Sequence, residues 1–253
     1  MTEAAPDPTS STPARTSVLA GIAQRIALFG GFSVVAGIAI AQAGLPPMMG
    51  FMIYVAGALF GGLTAFVLGA VGLFLTRAGD DPLGRKNAIT ALAAGLGLLA
   101  IVFIPSLRAG DLPRINDITT DVDDPPAFAT GPNAPDYGDR DMSYPDGFAE
   151  QVRSAYPDLE TIRTDLDPDR AFEKALVTAE TLGWFVTYKN APEGRLDAQE
   201  RTALFRFVDD VTIRVRPAGD GSEIDLRSKS RDGQGDLGAN AARIRQFVGA
   251  FGS

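Results

Sequence analysis

From Ile26 to Thr76, and again from Asn87 to Leu107, the chain carries no charged residue. Beyond position 111, charged and apolar residues interleave at short intervals. A membrane-spanning helix needs about 20 apolar residues, and the Pro46–Pro47 pair divides the first run. The pattern predicts spans at 26–44, 48–76 and 87–107, behind a polar tail over 1–25. Small residues recur at four-residue spacing (Ser33 and Gly37, Gly57 and Gly61, Ala93 and Gly97). That spacing lets helix backbones approach closely in lipid. Packing of the three spans on one another accounts for it more simply than dimerisation. No Asp, Glu, Lys or Arg lies inside a span, so no proton relay or ion path suggests itself. The three spans read as an anchor in a lipid bilayer.

The polar remainder has other periods. Proline, Asp and Gly punctuate residues 111–165, which predicts an extended, wrapped segment with a short helix near Phe148–Ser154. A core follows over 166–253. Asp167 suits a helix cap and Pro168 a first helical position. Phe172, Ala175, Leu176, Ala179 and Leu182 then form one apolar stripe before Gly183. Trp184–Asn190 reads as a strand and "EGRLDAQE" as its loop.

Residues 201–217 read as one strand with a bulge or bend, or as two strands, a tight two-residue Asp-Asp hairpin being the less favoured. A single straight strand would place Asp209 on the apolar face of Val211, Ile213 and Val215, where an unpaired carboxylate is costly. A bulge at Val208–Asp210 would avoid this. The turn "PAGDGS" (217–222) then sets a hairpin register. With Pro217 opposite Ser222, Arg216 meets Glu223, Arg214 meets Asp225 and Asp210 meets Lys229 on one face. Val215 meets Ile224 and Ile213 meets Leu226 on the other. The strip Arg214, Arg216, Arg227 and Lys229 is thus largely neutralised, as expected of a solvated sheet face. Leu237, Ala241, Ile244, Phe247 and Phe251 mark a last helix. The chain is expected to be α+β: an N-terminal three-helix transmembrane anchor, then an antiparallel sheet with two helices packed on one face.

Charge adds a location. Arg15 and Arg25 precede the first span, and Arg77, Arg85 and Lys86 sit between the second and third. Arg108 and Arg114 alone follow the third. The excess of basic residues in short loops marks the cytoplasmic side. It predicts an inner-membrane protein with a cytoplasmic N-terminus and a periplasmic C-terminal domain. "AIAQAG" (39–44) also offers a signal-peptidase pattern; cleavage there would leave two spans and the same domain location. Residues 111–253 hold 17 basic against 27 acidic residues, which argues against nucleic acid as a partner.

The chain contains no Cys and no His. That removes Cys/His zinc sites, disulfides, thiol catalysis and histidine-based triads. "TTDVDD" (119–124) clusters carboxylates but lacks the Gly and terminal Glu of an EF-hand loop. Ser228 and Lys229, adjacent on a strand, point to opposite faces and form no dyad. No catalytic residue, metal or cofactor is assigned.

"GQGDLG" (233–238) fits the dinucleotide pattern G-x-G-x-x-G, but its context does not. The strand before it alternates charged and apolar residues, and too few residues follow for a second strand. Asp236 would also oppose a pyrophosphate, so no dinucleotide is expected. The loop remains a candidate site for a small anionic ligand, built from Arg231, Asp236, Asn240 and Arg243 with Ser228 and Ser230 on the preceding strand. Free N–H groups at the helix start and two arginines suit a phosphate or carboxylate. Asp236 as a simple helix cap, with Arg231 and Asn240 locking the turn, is the competing assignment.

Gly183-Trp184, Asp209-Asp210-Val211, "DLRSKSR" (225–231) and "GDLGANAARI" (235–244) together resemble the bacterial domain of unknown function 1499. The resemblance covers roughly 111–250. It implies domain extent and frequent N-terminal membrane spans, with no activity or functional residue attached. The expectation for function is a non-catalytic binding or accessory module of the cell envelope, engaging a small anionic ligand or an envelope protein partner. The alternative is a periplasmic enzyme using Asp, Arg, Ser or Lys side chains.

Overall fold

The computed structural model describes residues 17–79, 81–110 and 112–252, and divides into two compact units, Met1–Leu107 and Arg108–Ser253. The polar lead that contains Arg15 lies outside the described residues.

Three helices of the first unit are long and apolar enough to cross a membrane: α1 (Val18–Gln42), α2 (Pro47–Leu75) and α3 (Pro82–Ala109). Each α1 and α3 start precedes the charge-free run. A charge-free stretch marks only what hydrocarbon tolerates, whereas a helix continues until its caps end it. Ser17 caps α1 by accepting from the Ala20 amide, and Asp81 caps α3 by accepting from the Gly84 amide. Pro47 starts α2, and a π-helical turn interrupts it at Gly57–Gly61.

Two of the three small-residue spacings pack the bundle. A Cβ added at Gly37 would lie 2.4 Å from the Gly50 carbonyl oxygen, and one at Gly57 would lie 2.5 Å from the Ser33 Cβ. The third does not. A Cβ at Gly97 would meet nothing within 4 Å, while Gly95 is the glycine pressed against the Phe66 backbone.

The second unit is a six-stranded antiparallel sheet in the order β1-β6-β5-β4-β3, with β2 also paired to β6. The strands are β1 (Asp117–Thr119), β2 (Ile162–Thr164), β3 (Phe185–Asn190), β4 (Arg195–Arg201), β5 (Val208–Ala218) and β6 (Gly221–Ser230). Short helix α4 (Phe148–Ala155) and the longer α5 (Pro168–Thr181) and α6 (Ala239–Gly252) complete it. The β5–β6 hairpin has the register set by its turn: Arg216 opposite Glu223, Arg214 opposite Asp225, Asp210 opposite Lys229.

Three sequence expectations are corrected. "EGRLDAQE" is not a loop, because Arg195–Arg201 forms β4, a central strand between β3 and β5. Residues 201–217 are not one bent strand. The chain reverses over 202–207 and β5 runs without a bulge along its whole pairing with β4 and β6. The polar sheet face is not solvated: Asp225 is fully buried and Arg227 only 2 % exposed. Residues 120–143 lie across it as a strap.

One core joins the other face to the helices. It gathers Ile118, Leu196, Val211, Ile213, Ile224 and Leu226 from the sheet. Phe172 and Leu176 of α5, Ile244, Phe247 and Phe251 of α6, and Val152 of α4 pack against them. Each large apolar side chain fully buried contributes about 1.5–3 kcal/mol. Trp184, just before β3, stacks on Phe247 at a ring distance of 5.5 Å.

Candidate functional site

Four of the six residues proposed from sequence meet on the helix side of the sheet. Because β-strand side chains alternate, Ser228 and Ser230 on β6 face α6 together. Asn240 and Arg243 lie three apart on α6 and face them. The Ser228 hydroxyl donates to Asn240 Oδ1 at 2.6 Å, and Asn240 Nδ2 donates to Ser230 Oγ at 2.9 Å and to the Asn116 carbonyl at 3.2 Å. Arg243 donates through Nη1 to Ser228 Oγ and Asn240 Oδ1, through Nη2 to Asp209 at 2.5 Å, and through Nε to Glu200. Asn240 and Ser228 are fully buried. Their polar groups are committed to one another, so a ligand would have to break this network to reach them.

The other two lie apart. Asp236 accepts from the Gly238 and Asn240 amides at 2.9 and 2.8 Å, so its carboxylate occupies the start of α6. Arg231 turns to the strap side of the sheet, where it forms a two-pronged pair with Asp210 at 2.7 and 2.8 Å. The structure therefore divides the six between two faces. Asp209, Glu200 and Asn116, absent from the sequence-based set, complete the helix-side network.

Asp209 explains the missing bulge. β5 stays straight and does place this carboxylate on the apolar face, 3 % exposed. Arg243, reaching from α6, supplies the charge that makes burial tolerable.

On the opposite face, the strap is held by the hairpin's cations. Arg227 forms a two-pronged pair with Asp117 at 2.7 and 2.8 Å and donates to the Pro126, Met142 and Ser143 carbonyls. Its guanidinium also lies over the Phe128 and Tyr144 rings, at 5.0 and 5.2 Å. Lys229 shares Asp117 at 2.9 Å. Arg214 and Arg216 bind Asp225 together with the strap's Asp121 and Asp124. The carboxylates of "TTDVDD" are thus engaged by arginine.

Beneath the strap, Asp197 on β4 is 1 % exposed. Its Oδ2 accepts from the Ala129 amide and from the Tyr137 hydroxyl, both at 2.8 Å. Burial pushes the Asp197 carboxyl above its ordinary range, and burial with the neighbouring Asp197 charge pushes the Tyr137 phenol up as well. A cavity of about 590 Å³, lined by Phe128, Ala129, Tyr137, Arg140 and Met142 among others, opens beside the pair.

A carboxyl raised in the folded state binds its proton more tightly folded than unfolded. Stability then falls as pH climbs from the ordinary carboxylate value through the raised one. Asp197→Asn keeps an oxygen acceptor without the charge. The variant is expected to lose less stability than the parent across that rise, measured as denaturation midpoints at stepped pH; parallel pH profiles would refute the assignment.

The match to known proteins spans this second unit. The family model described as "Protein of unknown function (DUF1499)" matches residues 117–251. The chain belongs to the DUF1499 family. The match begins at Asp117, the strap's buried anchor, and ends at Phe251 in the core of α6. Within it, "DLRSKSR" contributes the clamp on both sheet faces: Asp225, Arg227, Lys229 and Arg231 toward the strap, Ser228 and Ser230 toward α6. No curated protein matches the sequence significantly.

Proposed function

We propose that this DUF1499 protein is a membrane-anchored, non-catalytic binding or accessory module whose second unit lies on the periplasmic side of the inner membrane. The observation that carries this reading is the use of the family-motif residues. Their charges are spent on holding strap, sheet and last helix as one rigid body, the arrangement of a scaffold that presents a surface. Its location rests on the basic residues flanking the apolar runs, Arg15, Arg25, Arg77, Arg85 and Lys86 against Arg108 and Arg114. The bilayer is engaged by three apolar helices, and the partner is a small anionic ligand or an envelope protein.

One observation favours an enzyme instead: Tyr137, which lines a cavity formed by the strap, donates its phenol hydroxyl to the buried Asp197 carboxyl. Proton transfer to a bound substrate would be its chemistry.

Full-length protein solubilised in mild detergent and purified by affinity is expected to bring along a stoichiometric small molecule or protein, identified by mass spectrometry. Alkaline phosphatase fused after Ser253 is expected to be active. Turnover of a co-purified compound that Tyr137→Phe abolishes would replace the binding reading with the enzyme, and an inactive fusion beside an active cytoplasmic reporter would reverse the orientation.

A further inference from the structure

The second unit is acidic, and most of its arginines are consumed internally. Among the described residues, Arg114, Lys174, Lys189, Arg195, Arg201 and Arg206 make no ion pair within 4 Å and no side-chain hydrogen bond, Lys174 lying over the Phe251 ring. Four of these six lie on β3, β4 and the turn after β4. Arg195 acts on the buried Asp197 charge, whereas Arg201 and Arg206 lie at the opposite end of the β3–β4 pair, where two unpaired positive charges attract an anion.

That end also has a concavity. A cavity of about 510 Å³ is lined by Gly183, Phe185, Gln199, Arg201 and Arg206, together with Glu200. The volume is that of a small-molecule site. Glu200 shares the single charge of Arg243 with Asp209, so its carboxylate is only partly offset and the two arginines of the cavity outweigh it. Phe185 is 71 % exposed, an unusual position for a large ring at the first residue of a strand.

The turn that carries Arg206 is built to hold it. The Thr202 amide donates to the Phe207 carbonyl, the Arg206 amide to the Thr202 carbonyl, and the Phe207 amide to Thr202 Oγ1, at 2.8, 2.9 and 3.0 Å. Phe205 plugs the turn into the fold, 8 % exposed. Arg206 is thereby fixed at φ 63°, in the left-handed region. A non-glycine residue there costs about 1–3 kcal/mol and persists only where its surroundings impose it. Such positions cluster at ligand sites.

We propose that the Phe185–Arg201–Arg206 cavity binds an amphiphilic organic anion, a phosphate or carboxylate group on an apolar body. The two guanidinium forks match either oxyanion. The Phe185 ring and the side-chain-free Gly183 backbone take the apolar part. The alternative occupant of a sheet edge, an added strand, is disfavoured by the irregularity between Val186 and Tyr188 and by Lys189, both of which blunt an edge. This assignment gives a ligand class to the binding module proposed above and rests on that reading.

The test uses full-length protein in phosphatidylcholine nanodiscs, with equilibrium dialysis against dihexanoyl phosphatidic acid and, separately, inorganic phosphate. Trp184, the chain's single tryptophan, adjoins the cavity residues and reports the same site by fluorescence. Saturable binding of the short-chain lipid is expected, with Kd raised at least tenfold in Arg201→Gln/Arg206→Gln. The Arg114→Gln control should bind as the parent does. Each variant is first shown to keep a cooperative Trp184 unfolding transition. Nanodiscs doped with long-chain phosphatidic acid separate the sources: competition with the soluble probe identifies a bilayer headgroup, and its absence identifies a free amphiphile. Equal affinity for inorganic phosphate, an unchanged Kd in the double variant, or no binding would overturn the site. In the last case a co-purifying protein partner would leave the module reading intact; chemical conversion of the bound probe would sink that reading while keeping the site.

Discussion

Arg227→Met is expected to destabilise the second unit by about 3–5 kcal/mol, the cost of breaking one side of a buried ion pair. Domain stabilities are about 5–15 kcal/mol, so this is about a fifth or more of the total. The residue is 2 % exposed and its loss strips Asp117 of a two-pronged partner while three strap carbonyls lose a donor. Lys229 still reaches Asp117 and holds the effect toward the lower end. Arg227→Lys keeps the charge but not the planar fork, and should recover little. Two readouts separate strap from core. Trp184 fluorescence in denaturant follows the core, and limited proteolysis within 120–143 follows the strap. Faster cleavage of the strap at denaturant concentrations where Trp184 is still native is the expected pattern. A strap cut no faster than in the parent would show that Arg227 does not hold it.

The strap also shows where sequence reading stops. The β5–β6 register could be read because a tight turn fixes it and alternation then assigns every side chain to a face. Local periodicity likewise marked α5, α6 and the three apolar spans. What local pattern cannot reveal is a partner far along the chain. Asp117 and Arg227 are 110 residues apart, and nothing near either one announces the other. Read alone, the cations of β6 looked like a solvated face, because polar residues beneath a polar strap look the same as polar residues beneath water.

The β4 error has the same root. Arg195, Asp197 and Gln199 alternate with Leu196 and Ala198, a strand pattern with only two apolar positions. A central strand is expected to be more apolar than this. It is not, because its polar side is covered by the Ala129 amide and the Tyr137 hydroxyl in place of a second hydrophobic layer. Spacing along α6 brings Asn240 and Arg243 together, but Asp236 caps the helix and Arg231 lies on the other sheet face, and spacing is silent on occupancy. Asn240 and Arg243 find their partners on β4, β5 and β6, and the unpaired Arg201 and Arg206 lie instead at the end of β4 and the turn after it, where no motif pointed.

Asp209 carries the sharpest consequence, because a straight β5 with a carboxylate facing the core is tenable only while Arg243 is present. Both side chains are 4 % exposed, and they meet at 2.5 Å. Arg243→Met should cost about 3–5 kcal/mol by leaving Asp209 buried without a counter-charge. Asp209→Leu alone should cost a similar amount, since Arg243 then keeps only Glu200 as an acid partner. Combining Asp209→Leu with Arg243→Met removes both charges and fills the space with apolar groups, so the double variant should be more stable than the two losses summed, by about 1–3 kcal/mol of coupling. Ser228 and Asn240 lose the Nη1 donor in either arginine variant, so recovery is partial. Urea midpoints from Trp184 fluorescence in the four chains measure it. Additive losses would mean that the pair does not hold β5 straight, and that the helix-side network draws its stability from Ser228, Ser230 and Asn240 alone.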